Sequence, residues 1–459
     1  MNIELLIQVS YFVVAVLFIL GLKAMSSPVT AKKGIVWAGV GMVIATLITF
    51  ATPDMKNFTL MIVAIVIGGG IAWWAGKVVK MTDMPQMVAV YNGMGGGAAA
   101  GIAALEFARG EMHGTVVTTL AVLGALIGSV AFSGSCVAFA KLQGIMKKTF
   151  RLPAQNAVNV VLALVAVVIG AMIVAGGTDV DPRLLIAFFV ISLVLGVILT
   201  TPIGGADMPV VISLLNAFTG LAVGFEGYVL GNPALIIAGI VVGASGTLLT
   251  QLMAKAMNRP ITNVIFTPIT GEAQAGGAVT GTMKEASPMD AAAMMRFAQK
   301  VIIVPGYGMA VAGAQHKVWE MAKQLQEAGV EVKFAIHPVA GRMPGHMNVL
   351  LAEAGVPYDM IFDLEEINGE FAQTDVALVI GANDVVNPVA RTDKSSPIYG
   401  MPILNADKAQ NVIVNKRGKG AGYSGIENTL FYGENTRMLY GSAQQAIAQV
   451  IASIKTMEG

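Results

Sequence analysis

The sequence predicts a multi-span α-helical membrane domain of about nine helices, followed by a doubly wound parallel α/β domain. Of the 459 residues, 55% are hydrophobic and only 12% are charged, against roughly 25% charged in soluble domains. Apolar segments of about 20 residues, long enough to cross a bilayer, recur through the first half. Charged residues reach an ordinary density only from Met283 onward, where short apolar runs alternate with amphipathic segments. These patterns predict a membrane domain at 1–258, a flexible linker at 259–286 and a soluble domain at 287–459.

The predicted spans share length and low charge. They run Ile3–Leu22, Gly34–Ala51, Asn57–Gly76, Gln86–Phe107, Gly114–Ala140, Asn156–Gly176, Arg183–Ile203, Met208–Leu230 and Pro233–Met257. The fourth is rich in glycine, which is unusual for a helix. Its Gly93, Gly97 and Gly101 fall on one helix face, where small residues permit close helix contact. Eight or ten spans is the alternative count.

Lysine and arginine are distributed unequally between the two sets of loops, which predicts the orientation of the chain. One side carries Lys23, Lys32, Lys33, Lys77, Lys80, Lys141, Lys147, Lys148, Arg151, Lys255 and Arg259, and the other only Lys56, Arg109 and Arg183. The richer side is expected to face the cytoplasm. Nine spans then deliver the soluble domain into the cytoplasm and predict a multi-pass membrane protein in contact with lipid.

Composition also argues against several kinds of site. The formal net charge is +1 and no basic run is interleaved with aromatic residues, so no nucleic-acid surface is expected. The single cysteine, Cys136, lies in an apolar segment, so we expect neither a disulfide nor a cysteine-ligated metal, and no metal site is predicted.

The soluble domain is predicted to begin with a helix at Ser287-Pro288-Met289-Asp290, which has a capping serine, a proline and an early acid. Predicted strands and helices then alternate. The strands are 301–304, 331–336, 360–362, 376–380, 411–414 and 438–440, and the intervening helices lie near 309–328, 347–354 and 364–373. Apolar strands separated by amphipathic helices are typical of a parallel sheet covered on both faces.

A Gly-x-Gly turn follows the first of these strands, in the segment Gly306-Tyr307-Gly308-Met309-Ala310-Val311. The glycines allow the backbone to approach a pyrophosphate, and the following helix start favours its negative charge. The third glycine of the usual pattern is replaced by Val311. Because the turn lies between a strand and a helix, it indicates a nucleotide site in a Rossmann-like domain, the alternative being an ordinary βα turn.

The type of nucleotide follows from which charged residues are present. NAD sites usually carry an acid at the end of the second strand, and here that strand ends Ile336-His337-Pro338. Lys416 and Arg417 follow a later strand in a glycine-rich loop, where a 2′-phosphate would suit them. The site is therefore predicted to bind NADP(H). The alternative is a solvated surface loop.

Two further loops follow strand ends. His337–His346 offers Arg342 for a phosphate, and Gly381–Pro388 offers Asn383 and Asp384 for a ribose or a carboxamide. His337 and His346 are possible proton donors, but a loop-capping role is the favoured interpretation for each.

Together these residues resemble the beta subunit of the bacterial proton-translocating NAD(P) transhydrogenase. The shared elements cover the whole chain. They are Gly-Tyr-Gly-Met-Ala-Val at 306–311, the block at 337–354, Gly-Ala-Asn-Asp at 381–384, Lys-Arg at 416–417, Gly-Tyr-Ser-Gly at 422–425, Gly-Gly-Ala-Asp-Met-Pro-Val-Val at 204–211 and Ala-Met-Asn-Arg at 256–259.

The resemblance implies that hydride passes between NADP(H) here and NAD(H) bound to a separate alpha subunit, while protons cross the membrane domain. It implies a homodimer of alpha–beta units as well. The residues expected to contact the cofactor are Gly306, Tyr307, Gly308, Met309, Ala310, Val311, Val339, Ala340, Gly341, Arg342, Met343, Pro344, Gly381, Ala382, Asn383, Asp384, Gly400, Met401, Lys416, Arg417, Gly422 and Tyr423. Asp384 is expected near the nicotinamide.

One position departs from some relatives, which carry a histidine in the fourth span as a proposed proton relay. Asn92 stands there in this sequence. Intramembrane polar side chains usually face a bundle interior or a water path. Asn92, Ser135 and Asn216 are therefore predicted to line one hydrated route toward Asp207 and Arg259, and helix-to-helix hydrogen bonding is the alternative.

Two other functions fit parts of the sequence. One is a membrane transporter regulated by a cytoplasmic NADP(H)-sensing domain. The other is a membrane-anchored dehydrogenase of a small substrate, which the size of the soluble part, around 160 residues, disfavours.

Overall fold

The computed structural model describes residues 3–53, 55–110, 114–146, 150–177, 180–205, 207–266, 281–343, 345–418 and 424–458. These residues form two compact units. The first, called here the membrane unit, comprises Met1–Pro202 and Ile212–Leu249, and the second, the nucleotide unit, comprises Ile203–Val211 and Thr250–Gly459.

Nine long apolar helices of the described residues have the length and composition of membrane spans, as predicted. They are α1 (Ile3–Met25), α2 (Pro28–Thr49), α3 (Phe58–Val78), α4 (Met84–Arg109), α5 (Thr115–Leu142), α6 (Gln155–Gly176), α7 (Pro182–Thr200), α8 (Met208–Val229) and α9 (Pro233–Ala256). The glycine-rich fourth segment is thus helical. The number of apolar helices agrees with the nine-span interpretation, and the helix ends lie within six residues of the predicted ones.

Helices α4 and α5 pack closely because glycines face each other. A Cβ at Gly96 would lie 2.9 Å from the carbonyl oxygen of Gly128, and one at Gly93 would lie 3.1 Å from Ser135 Cβ. Gly101 meets nothing within 4 Å in the described chain, so the predicted face of Gly93, Gly97 and Gly101 was wrong at its last member. Gly96 belongs to the contact face instead. The residues at which two helices touch depend on the angle at which the helices cross, and the spacing of glycines in one helix does not determine that angle.

The nucleotide unit is built on six parallel strands in the order β3-β2-β1-β4-β5-β6. They are β1 (Lys300–Pro305), β2 (Glu331–Ile336), β3 (Ile361–Asp363), β4 (Val376–Ile380), β5 (Asn411–Lys416) and β6 (Thr436–Tyr440). Of the two central strands, β4 is buried along its whole length and β1 from its second residue onward, as near-continuous apolar runs require. This is the doubly wound order that the sequence predicted.

The helices of this unit are short apart from α13 and the last one. They are α10 (Ile261–Phe266), α11 (Pro288–Arg296), α12 (Tyr307–Val311), α13 (Gln315–Glu327), α14 (His346–Glu353), α15 (Leu364–Ile367), α16 (Val389–Thr392) and α17 (Ala443–Glu458). Helix α11 begins with the predicted capping box of Ser287 and Asp290. Helices α11 and α13 each pack against α17.

Two predicted helices differ from the structure. The helix expected near 309–328 is split into α12 and α13, because Gly313 adopts a positive φ of 60° between them. The helix expected near 364–373 is only α15, followed by a 3-10 turn at Phe371–Gln373.

The predicted linker at 259–286 has ordered ends. Its first part contains α10, and Lys284 accepts a backbone hydrogen bond from Met438 N at 2.7 Å, which joins it to β6. Residues 267–280 lie outside the described residues, so a flexible connector there stays a prediction.

Candidate functional site

The carboxyl ends of β1 and β4 lie side by side at the point where the strand order reverses, which is where ligands of open parallel sheets bind. The turns after these strands are hydrogen-bonded to each other. Gly306 N donates to Ile380 O and Gly308 N donates to Gly381 O, both at 2.9 Å. A Cβ at Gly306 would lie 2.6 Å from Ala382 N. Glycine at this position therefore lets the two turns pack backbone to backbone, as the turn of a pyrophosphate-binding motif requires.

A cavity of about 1090 Å³ opens at this edge of the sheet, the size of a large ligand site. Predicted cofactor contacts line much of it, namely Tyr307, Gly308, Val311, Val339, Ala340, Gly341, Gly381, Ala382, Asn383, Asp384, Met401, Lys416 and Arg417. Gly306, Met309, Ala310, Arg342, Met343 and Gly400 lie in the neighbouring turns without lining it. Pro344, Gly422 and Tyr423 lie outside the described residues.

The loop after β2 is held against the Gly-x-Gly turn. Tyr307 N donates to Ala340 O at 3.0 Å, and the Arg342 guanidinium lies 4.2 Å from the centre of the Tyr307 ring. His346 Nδ1 accepts from Arg342 N at 3.2 Å, and its imidazole packs against the same ring. These contacts fix Arg342 beside the turn, where a cation suits a pyrophosphate.

The side chain of His337 stabilises the same loop through two hydrogen bonds. It is 1% exposed, its Nε2 lies 2.7 Å from Pro402 O, and its Nδ1 accepts from Val339 N at 3.2 Å. The two partners require a neutral ring that donates through Nε2. Burial lowers the pKa of His337 to about 4, in spite of the Pro402 carbonyl, so it is neutral at physiological pH. The loop-capping interpretation therefore holds for His337, and a proton-donor role is not supported.

Asp384 lies in the turn after β4, and its side chain is hydrogen-bonded to a loop forty residues further along the chain. Its carboxylate accepts from Ser424 N at 3.0 Å and from Ser424 Oγ at 2.7 Å. Burial raises the pKa of Asp384, although the bonds to Ser424 and the charge of Lys416 oppose that rise. Asn428 Nδ2 donates to both Asn383 O and Asn383 Oδ1 at 2.9 Å. These hydrogen bonds join the turn after β4 to the loop that contains Ser424 and Asn428.

Lys416 and Arg417 line the cavity at the carboxyl end of β5. The Lys416 ammonium lies 4.3 Å from the centre of the Phe431 ring, and burial lowers its pKa. Arg417 is exposed. A half-buried cation beside an exposed one is suited to a doubly charged phosphate that enters from water.

Sequence patterns missed several lining residues. Ser424 lies in a loop whose approach to Asp384 is not visible locally, and Gly441, Ser442 and Ala443 follow β6. The last three were predictable from the sequence, because they directly follow a strand and the carboxyl ends of parallel strands lie at the same edge of the sheet. Gly205, Met257 and Arg259, which belong to the same unit, line the cavity as well.

The membrane unit brings two of the predicted polar residues together. Asn92 Nδ2 of α4 donates to Ser135 Oγ of α5 at 2.9 Å, and both side chains are buried. Thr219 of α8 completes the group, since its Oγ1 donates to Asn92 O at 3.3 Å. Thr219 was not predicted, although it lies one turn beyond Asn216 on the same helix. Asn216 itself is half-buried.

Asp207 is fully buried at the start of α8, within the nucleotide unit, and its carboxylate lies 3.4 Å from the Arg259 guanidinium. The sequence placed these two residues at one junction, and the ion pair is consistent with that prediction. Breaking such a pair leaves a buried charge without compensation, at a cost of about 3–5 kcal/mol.

Comparisons with known proteins agree with one another. The family model described as NAD(P) transhydrogenase beta subunit matches residues 7–453. NAD(P) transhydrogenase subunit beta of Rhodospirillum rubrum is 48% identical over 463 residues, which covers 98% of this chain and 99% of that protein. The subunit from a defined strain of the same species gives the same values. These matches do not favour a transporter with a nucleotide-sensing domain. The chain belongs to the family of NAD(P) transhydrogenase beta subunits.

Proposed function

We propose that this chain is the NADP(H)-binding, proton-translocating subunit of its transhydrogenase, and that it accepts hydride from NADH held by the alpha subunit. As a family member it is a multi-pass membrane component of an oxidoreductase that uses nicotinamide nucleotides and works with an alpha subunit. The proposal adds which nucleotide it binds, where it binds it, and which residues carry protons.

Lys416 and Arg417 carry the choice of nucleotide. They line the cavity at the end of β5, and the second strand ends at Ile336 without an acid to hold a ribose hydroxyl. NADP(H) differs from NAD(H) by a 2′-phosphate, which two cations stabilise through charge-assisted contacts. This pair is the observation that favours NADP(H).

The remaining lining residues have separable tasks in this proposal. The turn at Gly306 and Gly308 brings backbone against the pyrophosphate, with Arg342 beside it. Asp384, fixed by Ser424, orients the nicotinamide end. The bound nicotinamide supplies the hydride chemistry, and the protein residues bind it, orient it and exclude water.

The membrane unit is proposed to carry protons past Asn92, Ser135 and Asn216 toward Asp207 and Arg259. The hydrogen bond between Asn92 and Ser135 supports this route, because it joins polar groups of two helices inside an apolar bundle. The lysine and arginine bias of the loops supports a cytoplasmic nucleotide unit in a bacterial inner membrane, with a homodimer of alpha–beta units as the expected assembly.

The experiment for nucleotide choice replaces both cations in the complete alpha–beta complex. Each charge-assisted contact contributes about 1.5–3 kcal/mol, so the double variant Lys416→Ala, Arg417→Ala is expected to bind NADP(H) at least ~10-fold more weakly. Its binding of NAD(H) to the alpha subunit is expected to stay unchanged. Calorimetric titration with each nucleotide measures both affinities.

The matched control is the double variant Lys394→Ala, Lys408→Ala, which removes two exposed lysines that do not line the cavity. It is expected to keep NADP(H) affinity within about twofold, because exposed charges contribute little. Equal loss of affinity in both double variants would contradict recognition of the 2′-phosphate by this pair.

A further inference from the structure

A carboxyl group lies inside the membrane unit apart from the residues discussed so far. Glu226, in the last two turns of α8, is 1% exposed. Neither of its carboxylate oxygens has a hydrogen-bond partner among the residues that the structure describes. An ionised carboxylate without a partner is costly to bury, and ionisable residues inside spans usually serve proton or ion movement.

The bundle makes room for this side chain. A Cβ at Gly124 of α5 would collide with Glu226 Oε1 and would lie 3.0 Å from Glu226 Cδ. The carboxyl group therefore occupies the notch that a missing side chain leaves on the neighbouring helix. Such a notch holds the group between helices rather than in lipid.

Glu226 continues the polar face that begins at Thr219. The two residues are seven apart, which is two helical turns and about 10 Å along the axis. Thr219 is hydrogen-bonded to Asn92, and Asn92 to Ser135. Polar groups therefore extend along one face of α8 from the middle of the span toward its end.

The position along α8 places Glu226 near the opposite boundary from Asp207. Nineteen residues separate them in the chain, or about 28 Å at a helical rise of 1.5 Å. The charged groups near it lie at the end of α4, where the Glu106 carboxylate acts on Glu226 electrostatically and pairs with Arg109 at 3.4 Å. Arg109 is the last residue of this span and its side chain is 54% exposed, and an arginine at the end of a span is expected at the membrane–water boundary.

We propose that Glu226 is the proton-carrying group at the outer end of the route, taking up a proton from outside water and passing it inward along α8. An O–H bond forms at a carboxylate oxygen when the proton arrives and breaks when the proton moves on, so the group is restored in each cycle. This inference rests on the proposed function of the membrane unit as a proton route.

Three variants of the complete alpha–beta complex, reconstituted in liposomes, test the proposal. Glu226→Gln keeps the shape but cannot exchange a proton in this way, so proton pumping is expected to fall at least ~10-fold while calorimetric NADP(H) affinity is unchanged. Glu226→Asp keeps a carboxyl group, so pumping is expected to persist with its pH profile moved. The matched control Glu4→Gln removes an exposed carboxyl group from the first turn of α1 and is expected to keep pumping within about twofold.

The pH profile separates a proton carrier from a packing residue, because a merely structural role would lower the rate without moving the profile. Pumping by Glu226→Gln at the unaltered rate would overturn the proposal. So would an unmoved profile in Glu226→Asp, which decides the matter if Glu226→Gln does not assemble. Absence of pumping in the unaltered complex would instead refute the proposed function itself.

Discussion

The two units use the same residue types for different purposes, and the difference indicates what each unit does. In the nucleotide unit, two polar residues beside the cavity are held by two bonds each, Asp384 by Ser424 and Asn383 by Asn428. In the membrane unit, Asn92 Oδ1 and Glu226 are buried with no described partner. Polar groups with fixed hydrogen-bond partners are suited to binding a ligand of fixed shape. Polar groups that can form further hydrogen bonds are suited to proton transfer.

Glycine shows the same contrast. Gly306 lies where two backbone turns meet, and Gly381 beside it has a φ of 70°. In the membrane unit, Gly96 and Gly128 allow two helices to touch, and Gly220 and Gly243 do the same for α8 and α9. One unit uses glycine to bring backbone to a ligand, and the other to bring helix to helix.

Among the changes that test this comparison of the two units, replacement of Asn216 is expected to have the largest effect. Replacement by leucine removes a polar group about 13 Å from the Asp207 end of α8, so Asn216→Leu is expected to reduce coupled proton pumping at least ~10-fold. NADP(H) affinity is expected to be unchanged. Pumping in liposomes and calorimetry on the same preparation measure the two.

The matched control is Thr247→Leu, which removes an exposed hydroxyl from α9 and is expected to have little effect. If Asn216→Leu assembles normally and pumps like the control, the route does not pass through Asn216 and helix-to-helix bonding is the better explanation.

A smaller effect is expected from adding one methyl group to a glycine of each unit. Gly306→Ala forces a Cβ to within 2.6 Å of Ala382 N, so about 1–3 kcal/mol of strain is expected. NADP(H) affinity should then fall by roughly 5- to 150-fold. Gly101→Ala, in a helix with open space around it, should leave both pumping and affinity within about twofold.

Titration with NADP(H) and a pumping assay on both variants check this pair. Equal NADP(H) affinity in Gly306→Ala and the unaltered chain would show that close backbone approach at this turn is not required.

The smallest expected effect concerns pH. The pKa of His337 is about 4 in the fold and 6.5 in the free side chain, so the unfolded chain binds the extra proton first as pH falls. This contribution to stability is complete above about pH 6.5 and is lost toward pH 4. Between pH 7 and pH 5 it amounts to about 2 kcal/mol.

Urea unfolding of the segment from Ser287 to the end of the chain measures this slope. His337→Asn should be less stable at pH 7 and should lose about 2 kcal/mol of the dependence on pH, while His316→Asn, at an exposed position, should keep it. A slope that is the same in all three proteins would contradict a neutral buried His337.

Local patterns predicted the elements that local physics determines. The strands at 331–336 and 376–380 have the predicted bounds, because apolar runs flanked by turn residues have few alternatives. The Gly-x-Gly turn was predictable for the same reason. Since parallel strands end at one edge, it was also foreseeable that the turns after β1, β4 and β5 converge there.

Contacts between distant segments were not predictable from one sequence. Asp384 and Ser424 are forty residues apart, and Thr219 and Asn92 are 127 apart. Which faces of two helices meet depends on how they cross, so the fit of Glu226 against Gly124 has no local signature. The acid itself was a visible signal, since an ionisable residue within an apolar span is unusual.

The central claim is that this chain couples NADP(H) redox chemistry to proton movement only together with an alpha subunit. The most direct measurement is hydride transfer from NADH to NADP⁺, with proton movement recorded at the same time, in liposomes that contain this chain alone or with the alpha subunit. We predict no steady turnover for this chain alone, because its described residues form one parallel sheet with one switch point, and coupled turnover with proton movement for the pair. Turnover by this chain alone, or turnover by the pair without proton movement, would contradict the account.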